Sequence, residues 1–138
     1  ENHHNFAWKE IWNGQEVIVH RKGATPASKG TMGIIPGSMT ASGYLVRGKG
    51  ETKSISSASH GAGRQMSRTK AIQSIKSNEM YDWLQKHEVT LIGAGLDEAP
   101  MAYKDIEMVM AAQKGLVDVV AKFSPKIVRM ADDGSRED

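Results

Sequence analysis

The chain has 138 residues, 39% of them hydrophobic and 25% charged, with a net charge of +2 and no cysteine. That length suits one domain rather than two, and so small a net charge leaves any nucleic-acid argument to local clusters. Without cysteine there is no disulfide framework, thiol nucleophile or cysteine metal ligand within the chain, so histidine and carboxylate must carry any chemistry.

No apolar run is long enough to span a bilayer, and the opening "ENHHNFAWKE" lacks the basic head and apolar stretch of a signal peptide. The expectation is a soluble, cytoplasmic chain. It begins on Glu1 rather than methionine, as if cut from something longer. From Phe6 to His20 two strand-like runs flank Asn13-Gly14, the dipeptide favoured in two-residue hairpins because both central positions want positive φ. With that turn in the centre, Asn5 falls opposite Lys22 and His4 opposite Gly23.

"RKGATPASKGTMG" reads as a loop rich in backbone and hydroxyl donors, ending at Ile34-Ile35. Pro36-Gly37 has the sequence of a type II turn, with the glycine supplying a positive φ. A strand over Tyr44 to Gly48 follows, then "GKGETKSISSAS" as irregular polar chain. Beyond Gly63 the composition turns helical: one helix starting near Arg64, then a second capped by Asn78, with Met80, Trp83, Leu84 and His87 on one stripe. Val89 to Ile92 reads as a strand. Ile106, Val109, Met110, Gln113, Leu116, Val117 and Val120 predict a long helix from about Pro100 to Lys122, with Asp97 and Glu98 as acids favoured at its start. "KIVRM" after Pro125 predicts a last strand, and 131–138 a charged, disordered tail. With a hairpin and short strands first and helices later, the class is α+β. Met80, Trp83, Leu84, Met108 and Met110 are expected in the core.

Three clusters could carry chemistry. In "SHGAGR", Gly61 and Gly63 let the backbone approach an anion closely, with little obstruction from Ala62 between them. A helix starting at Arg64 would aim its free N–H groups at the same spot, with Arg64 and Arg68 on one face as forked phosphate donors. His60 is then the candidate nucleophile, since an imidazole near neutral pH can attack phosphorus and leave again. An ordinary strand-to-helix turn explains the same stretch equally well. In "NHHNFA", adjacent histidines on a strand point to opposite faces, and one histidine alone is not a metal site. In "HRKGA" with "IPGSM", Arg21 and Lys22 could bind phosphate, and Gly37, Ser38 and Met39 could offer backbone N–H groups and a hydroxyl.

Taken in order, "NHHNFA", "VHRKGATPA", "GIIPGSM", "SSASHGAGRQMSR" and "DEAPMAYKDI" resemble the C-terminal part of the RtcB family of RNA ligases, across nearly the whole chain to about Met130. The resemblance implies an RtcB-like fold over 1–130. It implies an enzyme joining RNA ends that carry a 2′,3′-cyclic phosphate or 3′-phosphate to a 5′-hydroxyl, using GTP and manganese. His60 matches the histidine that attacks the α-phosphate of GTP and holds GMP as a phosphoramidate. His4 matches a manganese ligand and Asn5 a guanylate contact. Pro36, Gly37, Ser38 and Met39 match a nucleotide-binding turn, and Gly61, Ala62 and Gly63 the loop after the nucleophile. Arg64 and Arg68 match arginines assigned to phosphates of nucleotide or RNA, and Tyr103 is a candidate contact to the base.

The chain departs from the family pattern at two places. Gly43, beside Ser42, stands where a serine usually contacts the nucleotide. Met130, beside Arg129, stands where many members have a lysine that touches guanine. The implied partners are tRNA halves or damaged RNA, with an activating protein as a further candidate. The family's other manganese ligands belong to an N-terminal part that this chain does not contain, so the chain alone is expected to bind GTP and manganese weakly and not to ligate. Two other readings compete: a phosphotransferase or phosphatase working through a phosphohistidine at His60, and a non-catalytic RNA- or protein-binding domain.

Overall fold

The structure, a computed structural model, describes residues 3–130. The tail 131–138 therefore lies outside the described residues. Strands β1 (Asn5–Trp12) and β2 (Gln15–Lys22) pair antiparallel in the expected register, with Asn5 opposite Lys22. Asn13 and Gly14 both hold positive φ, 50° and 75°, which matches the turn to the twist of the strands.

The loop expected after Arg21 is largely strand. β3 (Ala24–Pro26) pairs antiparallel with β6 (Ser57–Ser59), and β4 (Met32–Ile35) pairs with β5 (Gly43–Gly48). Three-residue strands carry no visible period, so only their distant partners define them. Pro36-Gly37 is not a type II turn, because Gly37 is not among the positive-φ glycines. The reason for glycine there is space: a Cβ would lie 2.5 Å from the Ser42 carbonyl oxygen and 2.8 Å from the Ala41 Cβ.

Helix α1 runs Arg68–Ser74 and is capped by the Ser67 hydroxyl, four residues later than expected. Arg64 therefore lies in extended chain, and the helical face it was to share with Arg68 does not exist. Helix α2 (Ser77–Lys86) starts at Lys76 rather than Asn78, with the Glu79 carboxylate accepting from the Lys76 backbone N–H. β7 (Thr90–Gly93) and β9 (Ile127–Arg129) lie where strands were expected, and they pair parallel with each other.

The long helix is the largest correction. Helix α3 covers only Ile106–Ala112, capped by Asp105, and Val117–Phe123 is strand β8, antiparallel to β5. Gly115 weakens helix, and "VDVV" is β-branched sequence that finds a pairing edge on β5. Nor do Asp97 and Glu98 cap that helix; they lie in a one-turn 3-10 segment, Leu96–Glu98. Strands thus return after the first helix, although the mixed α+β class stands.

Two buried clusters hold the chain together. One packs the β4-β5-β8 sheet on α3 through Ile35, Tyr44, Val46, Ile106, Met110 and Val117. The other gathers Met39, Ala71, Ile75, Met80, Leu84 and Ala99 around α1 and α2. Met80, Leu84 and Met110 are buried as expected, but Trp83 is 40% exposed and Met108 72%. The chain from His60 to Arg68 crosses between the clusters, with Ala62 in the first and Met66 packed on the second.

Candidate active site

Two histidines 56 positions apart in sequence meet because of Gly23. At the end of β2 its backbone N–H donates to the His4 carbonyl at 2.9 Å, and its own carbonyl accepts from the His60 N–H at 3.1 Å. Gly23 makes the turn from β2 into β3 at a φ of 68°, a conformation that glycine adopts without strain. The imidazoles stand edge to face with centroids 4.8 Å apart. Burial pushes the His60 pKa down, and the charge of His4 pushes it the same way. A neutral imidazole keeps the lone pair that nucleophilic attack on phosphorus requires.

The loop after His60 is stitched to the Pro36 turn. Ala62 N–H donates to the Pro36 carbonyl at 3.0 Å, and a Cβ at Gly61 would lie 3.2 Å from that oxygen. Gly63 takes a φ of 73°, and its carbonyl accepts from Lys104 N–H at 2.9 Å. Ser38 turns its hydroxyl to the Ala41 N–H at 3.2 Å, and the Met39 side chain is in the core. The structure thus brings His4, His60, Gly61, Ala62, Gly63 and the Pro36 turn together. Asn5 stays at the hairpin end, where its side-chain oxygen meets His20 Nε2 at 2.5 Å.

The basic residues divide. Arg21 faces inward, 3% exposed, and donates to Glu10 at 2.5 and 3.0 Å, to Ser57 Oγ at 2.7 Å and to the Ile55 carbonyl at 2.9 Å. Its guanidinium is a structural anchor and not half of a phosphate-facing pair; Lys22, next on the strand, is the exposed member. Arg64 is similarly engaged through all three nitrogens, with Met66 and Asp97 carbonyls and the Tyr103 hydroxyl as acceptors. Arg68 uses only Nη1, on Asp97 and Glu98, so Nε and Nη2 have no partner among the described residues. Arg68 is therefore the arginine of the pair with whole nitrogens unbonded among the described residues.

Glu98 is the hub of that network. It is 5% exposed, accepts from Arg68 and from the Tyr103 hydroxyl, and lies 3.8 Å from Arg64. Burial, followed by the bond to Glu98, pushes the Tyr103 pKa up to about 12. "DEAP" hid this role, because acids before a helix pattern read as caps. His20 was also missed, although the expected register put it diagonal to Asn5.

Gly43 and Met130, the two positions where the resemblance implied departures, have defined surroundings. A Cβ at Gly43 would meet the Phe123 ring, which occupies the place a serine side chain would need. Met130 donates its N–H to the Gly93 carbonyl at 2.8 Å and packs on the second cluster. A complete metal site is not provided: among the described residues no group of three or more His, Asp or Glu could hold an ion. His4 offers at most one ligand, too few to fix a metal by itself.

Comparison with known proteins agrees with the ordered motifs. The family model described as tRNA-splicing ligase RtcB matches residues 1–131. An RNA-splicing ligase RtcB of Escherichia coli K12 is 49% identical over 118 residues, covering 86% of this chain and 29% of the relative. A tRNA-splicing ligase RtcB of Methanococcus maripaludis is 37% identical over 147 aligned positions, covering 88% and 31%. An RNA-splicing ligase RtcB homolog 2 of Entamoeba dispar is 37% identical over 150, covering 91% and 29%. The chain thus spans less than a third of the length of these relatives. With a family model matching almost end to end over a site built around His60, the chain belongs to the RtcB family.

Proposed function

We propose that this segment is the nucleotide-activating, C-terminal portion of an RNA ligase, joining 3′-phosphate or 2′,3′-cyclic phosphate ends to 5′-hydroxyl ends. The observation that carries the reading is the pairing of a half-buried His60, its pKa lowered, with His4 at the mouth of a glycine loop. A ring nitrogen of His60 attacks the α-phosphorus of GTP, and pyrophosphate leaves with the broken bond. An oxygen of the RNA 3′-phosphate then attacks that phosphorus and the imidazole departs, giving an RNA–GMP anhydride. The 5′-hydroxyl attacks the RNA phosphate, loses its proton and expels GMP. A cyclic end must first take up water to become a 3′-phosphate.

Arg68, whose Nε and Nη2 have no partner among the described residues, is the arginine we assign to phosphate oxygens in these exchanges, with the glycines admitting the crowded centre. Manganese, as the resemblance implies, would take His4 together with ligands outside the described residues. tRNA halves or damaged RNA are the substrates that fit the end chemistry.

GTP labelled in turn at the α and the γ phosphate separates the readings. Incubated with the complete ligase and manganese, α label should become acid-labile on the protein and vanish in His60→Ala. Retention of γ label would point to phosphotransfer through a phosphohistidine, and RNA binding with no covalent label to a binding domain; either overturns the proposal. The 138-residue chain alone should take up no label, and guanylylation by it would sink the claim that outside ligands are needed.

A further inference from the structure

Next to the His60 loop lies an open cleft of about 360 Å³; Ser38 and Tyr103, which the resemblance gives to the nucleotide, lie on its lining, while Trp83 and His87 have no part in the proposed steps. One wall is Trp83 of α2, with His87 one turn on; their rings lie 4.6 Å apart and tilted by 35°. Lys104, Asp105, Thr40, Ser38 and Tyr103 are also on its lining. Trp83 and His87 lie on the same helix stripe as the buried Met80 and Leu84, yet Trp83 stays 40% exposed.

That exposed indole is fixed in place. Its Nε1 donates to Thr40 Oγ1 at 3.0 Å, a bond linking positions 43 apart, and the Lys86 ammonium lies 5.6 Å from the ring centre. An aromatic surface held before any ligand arrives loses little side-chain freedom on stacking. Lys104 and His87 line the cleft, and Lys86 reaches it only through its place beside the Trp83 ring. The acid in the lining, Asp105, accepts from the Glu107 N–H at 2.9 Å as the cap of α3. The Lys104 backbone N–H also binds the Gly63 carbonyl at 2.9 Å, so the cleft begins one hydrogen bond from the loop that carries His60.

We infer that this cleft is a nucleobase subsite for the RNA strand, in which a single-stranded base near the joined end stacks on Trp83 while Lys86 and Lys104 hold its phosphates. A fixed aromatic surface among cations is how proteins hold single-stranded nucleic acid, and a protein partner would gain less from a basic, open cleft. The inference rests on the ligase reading and names where that enzyme's RNA lies.

The experiment uses the complete ligase and a 3′-phosphate RNA carrying 5-iodouridine at each of its last few positions in turn. Irradiation should crosslink at least one position to the peptide containing Trp83, and tenfold excess GTP should not displace it. Trp83→Ala should raise the RNA concentration for half-maximal ligation about tenfold, with the rate at saturating RNA kept. Trp83→Phe should restore most of the affinity. Guanylylation without RNA should be unchanged in both variants and reports that they fold. No crosslink to this peptide, displacement by GTP, or a guanylylation defect in folded Trp83→Ala would each overturn the inference, the last two by giving the cleft to the guanosine nucleotide. Wild-type crosslinking without any covalent GMP would instead defeat the ligase reading and leave the subsite standing.

Discussion

The two regions that meet at the candidate site each bury one charged group, and they do so with opposite signs. In the hairpin the buried group is a cation, Arg21, surrounded by the Glu10 carboxylate, a serine hydroxyl and a backbone carbonyl. Beside the nucleophile loop it is an anion, Glu98, surrounded by two arginines and a tyrosine hydroxyl. A lone buried charge is too costly to keep, so each is wrapped in several partners. The difference is in what remains outside. The hairpin has one arginine with all three nitrogens bonded, whereas the loop keeps Arg68 38% exposed with two nitrogens that make no bond among the described residues. A cluster of basic residues near a phosphate-handling site is thus not a list of phosphate ligands.

The sharpest break in this comparison is Glu98→Ala. Removing the hub leaves Arg64, Arg68 and Tyr103 without a shared acceptor and should destabilise by about 3–5 kcal/mol in urea unfolding. A loss no larger than that of Asp82→Ala would mean the network does not hold the loop. Arg21→Met should cost less, roughly 2–3 kcal/mol, because Glu10 is only partly buried and can turn to water. If the hairpin is anchored as described, this variant should speed proteolysis between β1 and β2 before the rest of the chain opens.

Smaller still is Gly23→Ala, about 1–2 kcal/mol, since space at that position is open but the φ of 68° strains any residue with a Cβ. Tyr103 gives a signature in pH rather than magnitude. Below pH 10 the folded and unfolded chains both keep its proton. Between about 10 and 12 only the unfolded chain releases it, so stability falls as pH rises through that window. Tyr103→Phe should flatten this part of the profile, and an unchanged slope would show that the hydroxyl is not held as described. At the other extreme, Ile11→Ser at the 67% exposed hairpin tip should change stability by less than about 0.5 kcal/mol.

What could be read from the sequence follows from the range of each interaction. The hairpin was legible because Asn13-Gly14 fixes its own turn and register locally. β6 and β8 were not, since a Ser-Ala-Ser stretch and a valine-rich stretch become strands only against β3 and β5. Valines spaced at three and four satisfied a helical pattern by coincidence, and Gly115 was the signal against it. At the site, His60 and His4 could be named one by one. Their contact could not, because it depends on a residue with no side chain at the corner of β2 and β3. Glu98 was read as a cap because the two arginines it serves lie about 30 residues earlier.

Gly23 also has a mechanical meaning. Both histidine backbones hang from one residue, His4 on its nitrogen and His60 on its oxygen. A substitution that displaces this one residue would therefore loosen both histidine backbones at once, because they share a tether instead of having one each.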